Sequence, residues 1–214
     1  MSGAAIMVAV LAAGSSQRFG SDKRQALLGG RPLAHHALET ARRAADALQA
    51  ECIAIVPADG GLAMPPRITA RANSDSARGM GTSVAMAARL AQEAGCDTLV
   101  VTLADMPFVR AQTLVRLMKG RMEKQAAACL HPGSPRHSGP RPGLRPGPPA
   151  VFDARHFAAL QQLEGERGAG ALLARLAGEG AVHCLAADTL APHELTDIDT
   201  PQALARAEAL LADG

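Results

Sequence analysis

Three positively charged side chains follow a turn of small residues near the start of the chain. Leu11-Ala12-Ala13-Gly14 ends an apolar run, and Arg18, Lys23 and Arg24 come next. Small residues let a ligand approach the backbone, and turning amide N–H groups form a nest that binds anions. Guanidinium and ammonium groups beside such a nest suit a polyphosphate. The pattern predicts an anion site, although an ordinary strand-to-helix turn with solvated cations has the same composition.

The overall composition excludes several classes of partner. A net charge of +2 over 214 residues, with 2% aromatic residues, argues against a nucleic-acid surface and against base stacking. No apolar run is long enough to cross a bilayer, and the first one lacks a preceding basic segment, so we expect no membrane partner. The four cysteines lie far apart without a C-x-x-C pair, which predicts reduced thiols and a cytoplasmic protein.

Strand-like and helix-like segments alternate along the chain. Residues 6–11, 52–56 and 98–103 are apolar runs with β-branched members, whereas residues 33–48 and 111–123 have helical periodicity. The alternation predicts an α/β fold, a three-layer Rossmann-like sandwich with a mostly parallel sheet and helices on both faces, in one domain over residues 1–214. Because such sheets bind ligands at the carboxyl ends of their strands, Leu11 to Arg24 and Ala104 to Pro107 should lie at one edge.

The remaining elements are predicted with weaker signals. They are a strand at 67–71, a helix at 81–94 with a hydroxyl N-cap, a strand at 126–130, helices near 154–163 and 169–177, a strand at 181–185, and a last helix capped by Thr200 with Pro201 in its first turn.

Residues 131–149 interrupt the alternation. They contain seven of the fourteen prolines. Because proline has no backbone N–H, this composition predicts an open, mobile loop rather than a helix or strand. His131 and His137 would then have no regular element to fix them.

Several segments, in order, resemble a known family. LAAGSSQRFGSDK is similar to the signature of nucleotidyltransferases that use a nucleoside triphosphate and release pyrophosphate. Four later segments resemble its other motifs: ARGMGTSVAMAARL, LVVTLADMPFV, FDARHFAALQQLEGERGAGALLARL and LTDIDTPQALARAEALL. The chain most resembles the molybdenum cofactor cytidylyltransferase branch of the molybdopterin nucleotidyltransferase-like family, whose members transfer CMP from CTP to the molybdopterin phosphate.

The resemblance implies roles for individual residues. Leu11, Ala12, Ala13 and Gly14 would hold the nucleotide, Gly79, Met80, Gly81 and Ser83 would contact its base or ribose, Arg18 and Lys23 would act as catalytic cations on the phosphates, and Asp105 and Asp199 would hold Mg²⁺. Carboxylate oxygens are the hard ligands that Mg²⁺ prefers. Because the attacking group is already an anionic phosphate, no Ser–His–Asp arrangement is required.

Simpler interpretations exist for the same residues. Asp105 could cap a turn, and Asp199 could merely precede the last helix, in which case Asp197 is the alternative ligand. A plain helix N-terminus would look like the Gly79–Ser83 segment. His35 and His36 point in different directions on one helix and are expected to be solvated or half-buried rather than metal ligands.

The identity of the two substrates is the least determined part. The methyl group of Ala13 would favour a pyrimidine over a purine, although relatives that transfer UMP share the motif. Gly147-Pro148-Pro149 keeps the family pattern, but the long Arg/Pro/Gly stretch before it and residues 165–170 depart from that pattern, and both departures fall where an acceptor would lie. The expected partners are CTP or another nucleoside triphosphate, a small phosphorylated acceptor such as molybdopterin, and a molybdoenzyme that receives the cofactor. Another acceptor, or a non-catalytic delivery chaperone that binds its partner through residues 131–149, remains an alternative.

Overall fold

The computed structural model describes residues 5–14, 19–20, 22–59, 61–132, 143–166 and 168–212. Its strands are β1 (Ile6–Leu11), β2 (Leu27–Leu28), β3 (Arg31–Pro32), β4 (Glu51–Pro57), β5 (Thr69–Asn73), β6 (Thr98–Leu103), β7 (Ala126–Pro132), β8 (Leu144–Asp153) and β9 (Val182–Leu185). Its α-helices are α1 (Leu33–Leu48), α2 (Met80–Glu93), α3 (Ala111–Glu123), α4 (Phe157–Leu160), α5 (Gly170–Gly178) and α6 (Pro201–Ala212).

Seven strands form the central sheet, in the order β5-β4-β1-β6-β8-β7-β9. Strand β8 is antiparallel to β6 and β7, and the other pairings are parallel. The chain moves outward from β1 to β4 and β5 and then returns to β6 on the other side of β1. This reversal leaves a crevice at the carboxyl ends of β1 and β6, the position at which α/β sheets bind ligands. The predicted mostly parallel sheet is confirmed.

Helices cover both faces of the sheet. Successive residues of β1 point to opposite faces, so Val8 and Val10 pack with α1 and α3, whereas Met7 and Ala9 pack with α2, α4 and α5. Many helix residues at these contacts are alanines, which brings the helix backbones close to the sheet. The predicted three-layer arrangement is confirmed.

A third, smaller cluster joins the C-terminal helix to the start of α1. Leu28 of the β2–β3 hairpin and Leu33 pack against Ile198 and Ala207. Helix α6 begins at Pro201 as predicted, and the Thr200 hydroxyl accepts a hydrogen bond from the Ala203 amide at 3.1 Å. The cluster fixes the segment before α6 beside the carboxyl edge of the sheet.

The prediction of a loop over residues 131–149 is wrong at both ends. Strand β7 continues to Pro132, and β8 begins at Leu144 and includes Gly147-Pro148-Pro149. The reason lies in the pairing: β6 pairs with β8 only over residues 150–153, so residues 144–147 pair with β7 alone, and Pro148 and Pro149 fall in an irregularity opposite Ala128 and Cys129 where they pair with neither strand. Proline is tolerated on such an edge because its missing N–H is not needed. Residues 133–142, including His137, lie outside the described residues.

Two smaller predictions are also corrected. Helix α2 begins at Met80, one residue early, and its N-cap is Gly79 with no side-chain cap; the Thr82 hydroxyl instead turns back to the Gly79 carbonyl at 2.9 Å. The helix expected near 154–163 is a 3₁₀ turn over Ala154–His156 followed by the short α4. Among the helices described, none is both long and apolar enough to span a membrane.

Candidate active site

Lys23 joins two aspartates that are distant in sequence. Its Nζ donates to Asp105 Oδ2 at 2.6 Å and to Asp199 Oδ1 at 2.7 Å. The Lys23 side chain is 11% exposed, compared with 19% for Asp105 and 43% for Asp199. Three predicted site residues therefore meet at one point. The Asp105 carboxylate binds Lys23 and caps no turn in the described part of the chain, which answers the simpler interpretation of that residue.

Backbone hydrogen bonds bring these three residues together. The Ala104 amide donates to the Leu11 carbonyl at 3.0 Å, which ties the end of β6 to the end of β1. The Ile198 amide donates to the Asp105 carbonyl at 2.9 Å, which places Asp199 beside Asp105. Lys23 begins a 3₁₀ turn, Lys23–Gln25, which follows the small-residue turn Leu11–Gly14 in the sequence. The cluster thus lies at the crevice between β1 and β6.

Burial and charge act in opposite directions on this cluster. Burial disfavours the Lys23 ammonium, but the two carboxylates outweigh it and raise the pKa of Lys23. Burial raises the pKa of Asp105 by more than the neighbouring ammonium lowers it, and the charges of Asp199 and Asp197 add to the increase. The Lys23 ammonium therefore favours the ionised form of Asp105 and partly offsets the effect of burial on its pKa.

The chemistry of Asp105 and Asp199 fits a divalent metal. Asp105 Oδ1 is buried and has no hydrogen-bond partner in the described part of the chain, so one hard oxygen is available for a cation. The described residues contain no cluster of three or more His, Cys, Asp or Glu side chains that could hold a metal. Two carboxylates with phosphate and water as the remaining ligands is a usual arrangement for Mg²⁺. Asp197, the alternative ligand, lines the larger cavity described below.

Arg24 holds the backbone of the small-residue turn, a role that the sequence analysis did not assign. Its guanidinium binds the Asp22 carboxylate through Nε at 2.7 Å and Nη2 at 2.8 Å, and its Nη1 donates to the Ala12 carbonyl at 3.3 Å. The hydrogen bonds from Arg24 outweigh partial burial and lower the pKa of Asp22. The spacing of Asp22 and Arg24 in the sequence could have indicated this pair, because an aspartate side chain can accept a hydrogen bond from the residue two positions later in the chain.

The glycines at the start of α2 pack against another loop. A Cβ on Gly79 would lie 2.3 Å from the carbonyl carbon of Gly165, and one on Gly81 would lie 2.8 Å from Glu164. The Gly81 amide donates to the Gly165 carbonyl at 2.8 Å. Gly79 also has a φ of 114°, a region that favours glycine. These two glycines allow a close approach of two chain segments, and their predicted contact with a nucleotide stays a prediction.

A small pocket lies beside the Lys23 cluster. Its volume is about 40 Å³. It is lined by most of the predicted nucleotide-binding residues, namely Leu11, Ala12, Gly14, Met80 and Ser83, together with Lys23, Arg24 and Asp105. Ala13 is not among its lining residues, because its side chain packs with the core cluster that contains Leu11 and Val84. Arg18, the other predicted cation, lies outside the described residues.

A larger cavity of about 690 Å³ adjoins the same edge. Leu11, Met80 and Leu103 line both spaces, so the two are neighbours. Its other walls come from β7, β8, α5 and the segment before α6, and include His131, Arg145, Gly147, Phe152, Glu166, Leu173 and Asp197. The segments where the sequence departs from the family pattern therefore line one cavity.

His131 has a fixed position, contrary to the prediction. It lies on β7, its Nε2 is hydrogen bonded to the Pro148 carbonyl, and a Cβ on Gly147 would lie 3.0 Å from its ring. Burial lowers the pKa of His131 by more than the Pro148 carbonyl raises it. By contrast, His35 and His36 are half-buried, as expected, and bond to the carbonyls of Ala63 and Leu28.

Glu194 anchors the segment that carries Asp197 and Asp199. The residue is 2% exposed, and its carboxylate accepts from the amides of Arg110 at 3.0 Å and Ala191 at 3.1 Å and from the Thr113 hydroxyl. These bonds tie the segment to the start of α3. The sequence carried no signal for this role, because the partners are about eighty residues apart in the chain.

Comparison with known proteins gives both a family and structural neighbours. Residues 8–181 match the MobA-like NTP transferase domain. No curated protein matched the chain by sequence. The structure of Rv0371c from Mycobacterium tuberculosis H37Rv in complex with manganese has a TM-score of 0.68 and 22% identity, over 96% of this chain and 98% of that chain.

Two further neighbours have named activities. Molybdopterin-guanine dinucleotide biosynthesis protein A from Archaeoglobus fulgidus has a TM-score of 0.62 and 19% identity, over 97% of this chain and 100% of that chain. The 2-C-methyl-D-erythritol 4-phosphate cytidylyltransferase from Thermus thermophilus has a TM-score of 0.61 and 20% identity, over 98% of both chains. These likenesses show a shared fold, and the match over residues 8–181 shows that the chain belongs to the MobA-like NTP transferase family.

Proposed function

We propose that this protein transfers CMP from CTP to the phosphate of molybdopterin and releases pyrophosphate, using Mg²⁺. An oxygen of the acceptor phosphate would attack the α-phosphorus of CTP. The new P–O bond forms while the bond to the β-phosphate oxygen breaks, and that oxygen leaves as part of pyrophosphate. Since no proton has to be removed from the attacking group, the protein must mainly position two anions and neutralise their charge.

The observation that carries this proposal is the meeting of Lys23, Asp105 and Asp199 at the crevice between β1 and β6. Lys23 and Asp105 line the small pocket, and the larger cavity shares the walls Leu11, Met80 and Leu103 with it. Because two substrates must meet at one reacting bond, a charged cluster in one of two adjoining spaces is suited to their transfer reaction.

Each member of the cluster has a distinct task in the proposal. Lys23 remains an ammonium because the carboxylates raise its pKa, so it can donate to oxygens of the triphosphate. Asp105 and Asp199 would hold the divalent metal, which when bound supplies charge neutralisation to the triphosphate and to the departing pyrophosphate. Arg18 would add a further contact to the phosphates, as its place in the resembling motif implies.

The choice of substrates rests on the family resemblance and on the neighbours. One neighbour is named for molybdopterin-guanine dinucleotide biosynthesis and another is a cytidylyltransferase for a phosphorylated compound, while a third was solved with manganese. The cavity of about 690 Å³ is of the size that proteins use for compounds as large as a pterin. The choice of CTP rests on the family resemblance alone, because the Ala13 side chain packs in the core and does not line the small pocket.

Pyrophosphate release measured with purified protein tests the proposal. CTP, GTP, UTP and ATP are each supplied with Mg²⁺ and molybdopterin, and the nucleotide product is identified by mass. We expect CTP to give the fastest release and a molybdopterin–cytidine product. A clear preference for GTP would contradict the CTP assignment, and release that depends on a different phosphorylated acceptor would replace molybdopterin.

The same assay separates the enzyme from a non-catalytic delivery chaperone. A chaperone would bind nucleotide and cofactor without releasing pyrophosphate, whereas the proposed enzyme would use Lys23, and a metal held by Asp105, to stabilise the charge on the departing pyrophosphate. A cytoplasmic location and hand-over of the product to a molybdoenzyme remain part of the proposal. Co-purification with a molybdoenzyme only after CMP transfer would support that hand-over.

A further inference from the structure

The side chain of Asn73 has an orientation that its backbone neighbour fixes. Asn73 ends β5 and is 5% exposed. The Asp75 amide donates to Asn73 Oδ1 at 3.0 Å. Because a backbone N–H can only donate, the atom facing it must be the amide oxygen. The Asn73 NH₂ group therefore faces the other way, toward the start of α2.

Two hydroxyls of α2 accept from this NH₂ group. Asn73 Nδ2 lies 3.0 Å from Thr82 Oγ1 and 3.0 Å from Ser83 Oγ. The hydrogens of the Thr82 and Ser83 hydroxyls then differ in the acceptors available to them. Thr82 Oγ1 donates within the turn, where the Gly79 carbonyl lies at 2.9 Å and the Asp75 carbonyl at 3.1 Å. Thr82 is therefore satisfied by its own surroundings.

Ser83 differs from Thr82 in where its hydrogen can go. Its oxygen is occupied as an acceptor from Asn73, and its hydrogen has no acceptor in the described part of the chain. Ser83 is 3% exposed and lines the small pocket with Gly14 and Asp105. A hydroxyl hydrogen held in such surroundings without an acceptor costs free energy until a ligand supplies one.

We propose that Asn73 is a positioning residue for nucleotide recognition: it fixes the Ser83 hydroxyl as a hydrogen-bond donor toward the small pocket, and this donor reads an acceptor atom on the O2–N3 edge of a pyrimidine base. The inference deepens the proposed function and rests on it, because it assumes that one edge of the nucleotide base reaches the small pocket, whose volume of about 40 Å³ admits part of a nucleotide. Cytosine carries two acceptors, O2 and N3, on that edge.

The ligand side of the proposal is tested first with the unmodified protein. Binding of CTP, 2-thio-CTP and 3-deaza-CTP is measured by calorimetry in the presence of Mg²⁺. Replacing O2 by sulfur weakens one acceptor, and replacing N3 by carbon removes the other. We expect one analogue to bind about fivefold to tenfold more weakly than CTP, the loss of one neutral hydrogen bond. Equal binding of all three would overturn the proposal.

The protein side is tested with Ser83→Ala and Asn73→Asp. Ser83→Ala removes the donor, so CTP should bind about fivefold to tenfold more weakly and the difference between CTP and the sensitive analogue should vanish. Asn73→Asp replaces the donating NH₂ by an acceptor, so the Ser83 hydrogen turns to residue 73 and its lone pairs face the base. CTP should then lose at least as much affinity as in Ser83→Ala.

A double variant distinguishes an effect of Asn73 that acts through the Ser83 hydroxyl from a general disturbance of the structure around residue 73. If Asn73 acts through the Ser83 hydroxyl, Asn73→Asp combined with Ser83→Ala should bind CTP no more weakly than Ser83→Ala alone. Additive losses would overturn the positioning role. Thr82→Val is the matched control, since it contacts the same NH₂ group without lining the small pocket, and it should keep the preference for CTP over the sensitive analogue.

The result is distinguishable from a failure of the proposed function. If the unmodified protein binds no nucleotide, the proposed function fails and with it the basis of this inference. If it binds CTP but Ser83→Ala binds CTP and the analogues as the unmodified protein does, only the inference fails. Should Asn73→Asp not fold, Ser83→Ala and the analogue series still decide the outcome.

Discussion

The two spaces beside the Lys23 cluster are built in different ways. The small pocket lies over parallel strands, and its polar side chains hold one another: Arg24 binds Asp22, and Lys23 binds both aspartates. The larger cavity lies over the antiparallel strand β8, and its wall residue Arg145 is exposed and makes no hydrogen bond or ion pair within the described part of the chain.

The difference indicates how each space could recognise a ligand. A pocket whose polar groups are already fixed by one another selects by the position of donors and acceptors, and it resists repacking. A roomy cavity with an exposed cation selects by size and by one strong charge. We therefore expect substitutions near the small pocket to change nucleotide chemistry, and substitutions in the larger cavity to change the acceptor.

The largest expected effect comes from Asp105, the aspartate that lines the small pocket. Asp105→Asn should lower the rate of pyrophosphate release about a thousandfold or more, because charge stabilisation is lost at the reacting bond. The melting temperature should change little, since the substitution relieves a buried carboxylate. Asp199→Asn should do less, because the residue is more exposed and an amide oxygen can still coordinate a metal. Full activity of Asp105→Asn at limiting Mg²⁺ would contradict the metal assignment.

The packing of Gly79 against Gly165, next to Met80 that lines both spaces, is tested by Gly79→Ala. The left-handed φ of Gly79 and the 2.3 Å approach to Gly165 should together cost about 2–4 kcal/mol of unfolding free energy. Gly95→Ala is the control, because Gly95 has a φ of 68° but nothing within 4 Å of its added Cβ. Denaturant unfolding should show a loss of about 1–2 kcal/mol for that control. Equal losses for both would mean that the contact with Gly165 is readily displaced.

The small pocket is tested by Lys23→Ala. Removing one charge-assisted contact should weaken CTP binding by about 1.5–3 kcal/mol, and the loss should be smaller for CMP, which lacks the β- and γ-phosphates. The same result is expected for Arg18→Ala. Calorimetric titration measures both ligands, with Lys119→Ala on the exposed surface of α3 as the control. Equal losses for CTP and CMP would place the action of Lys23 elsewhere.

The larger cavity is tested by Arg145→Ala, the smallest of these effects. An exposed guanidinium that contacts an anionic acceptor should account for about a tenfold change in the KM for the acceptor. The Kd for CTP should stay unchanged, because Arg145 does not line the small pocket. Arg43→Ala, an exposed arginine on α1, is the control. A weaker affinity for CTP with an unchanged KM for the acceptor would reverse the assignment of the two spaces.

Much of the sheet and the meeting of Lys23 with Asp105 and Asp199 could be predicted from the sequence. Strands β1 and β6 are continuous apolar runs, and residues that follow such strands must lie at one edge of a parallel sheet. The resemblance then supplied Asp199, which no local pattern connects to the other two.

Other features depend on pairings that no local pattern reveals. The prolines of β8 are tolerated because β6 leaves residues 144–149 uncovered and because Pro148 and Pro149 lie at a register irregularity with β7. Asn73 ends a strand with weak apolar character, and its role arises from hydroxyls about ten residues later. Glu194 stabilises a segment through partners on α3. Each of these roles depends on a contact with a residue elsewhere in the chain, so it can be assigned only from the folded structure.

The hydrogen bond from the Ile198 amide to the Asp105 carbonyl makes the geometry of the charged cluster depend on a part of the fold outside the sheet. Ile198 also packs with Leu28, Leu33 and Ala207, so the residue next to Asp199 is fixed by the small cluster beneath α6. Local loosening of that cluster would therefore move the Asp199 carboxylate away from Lys23 while the seven-stranded sheet stayed intact.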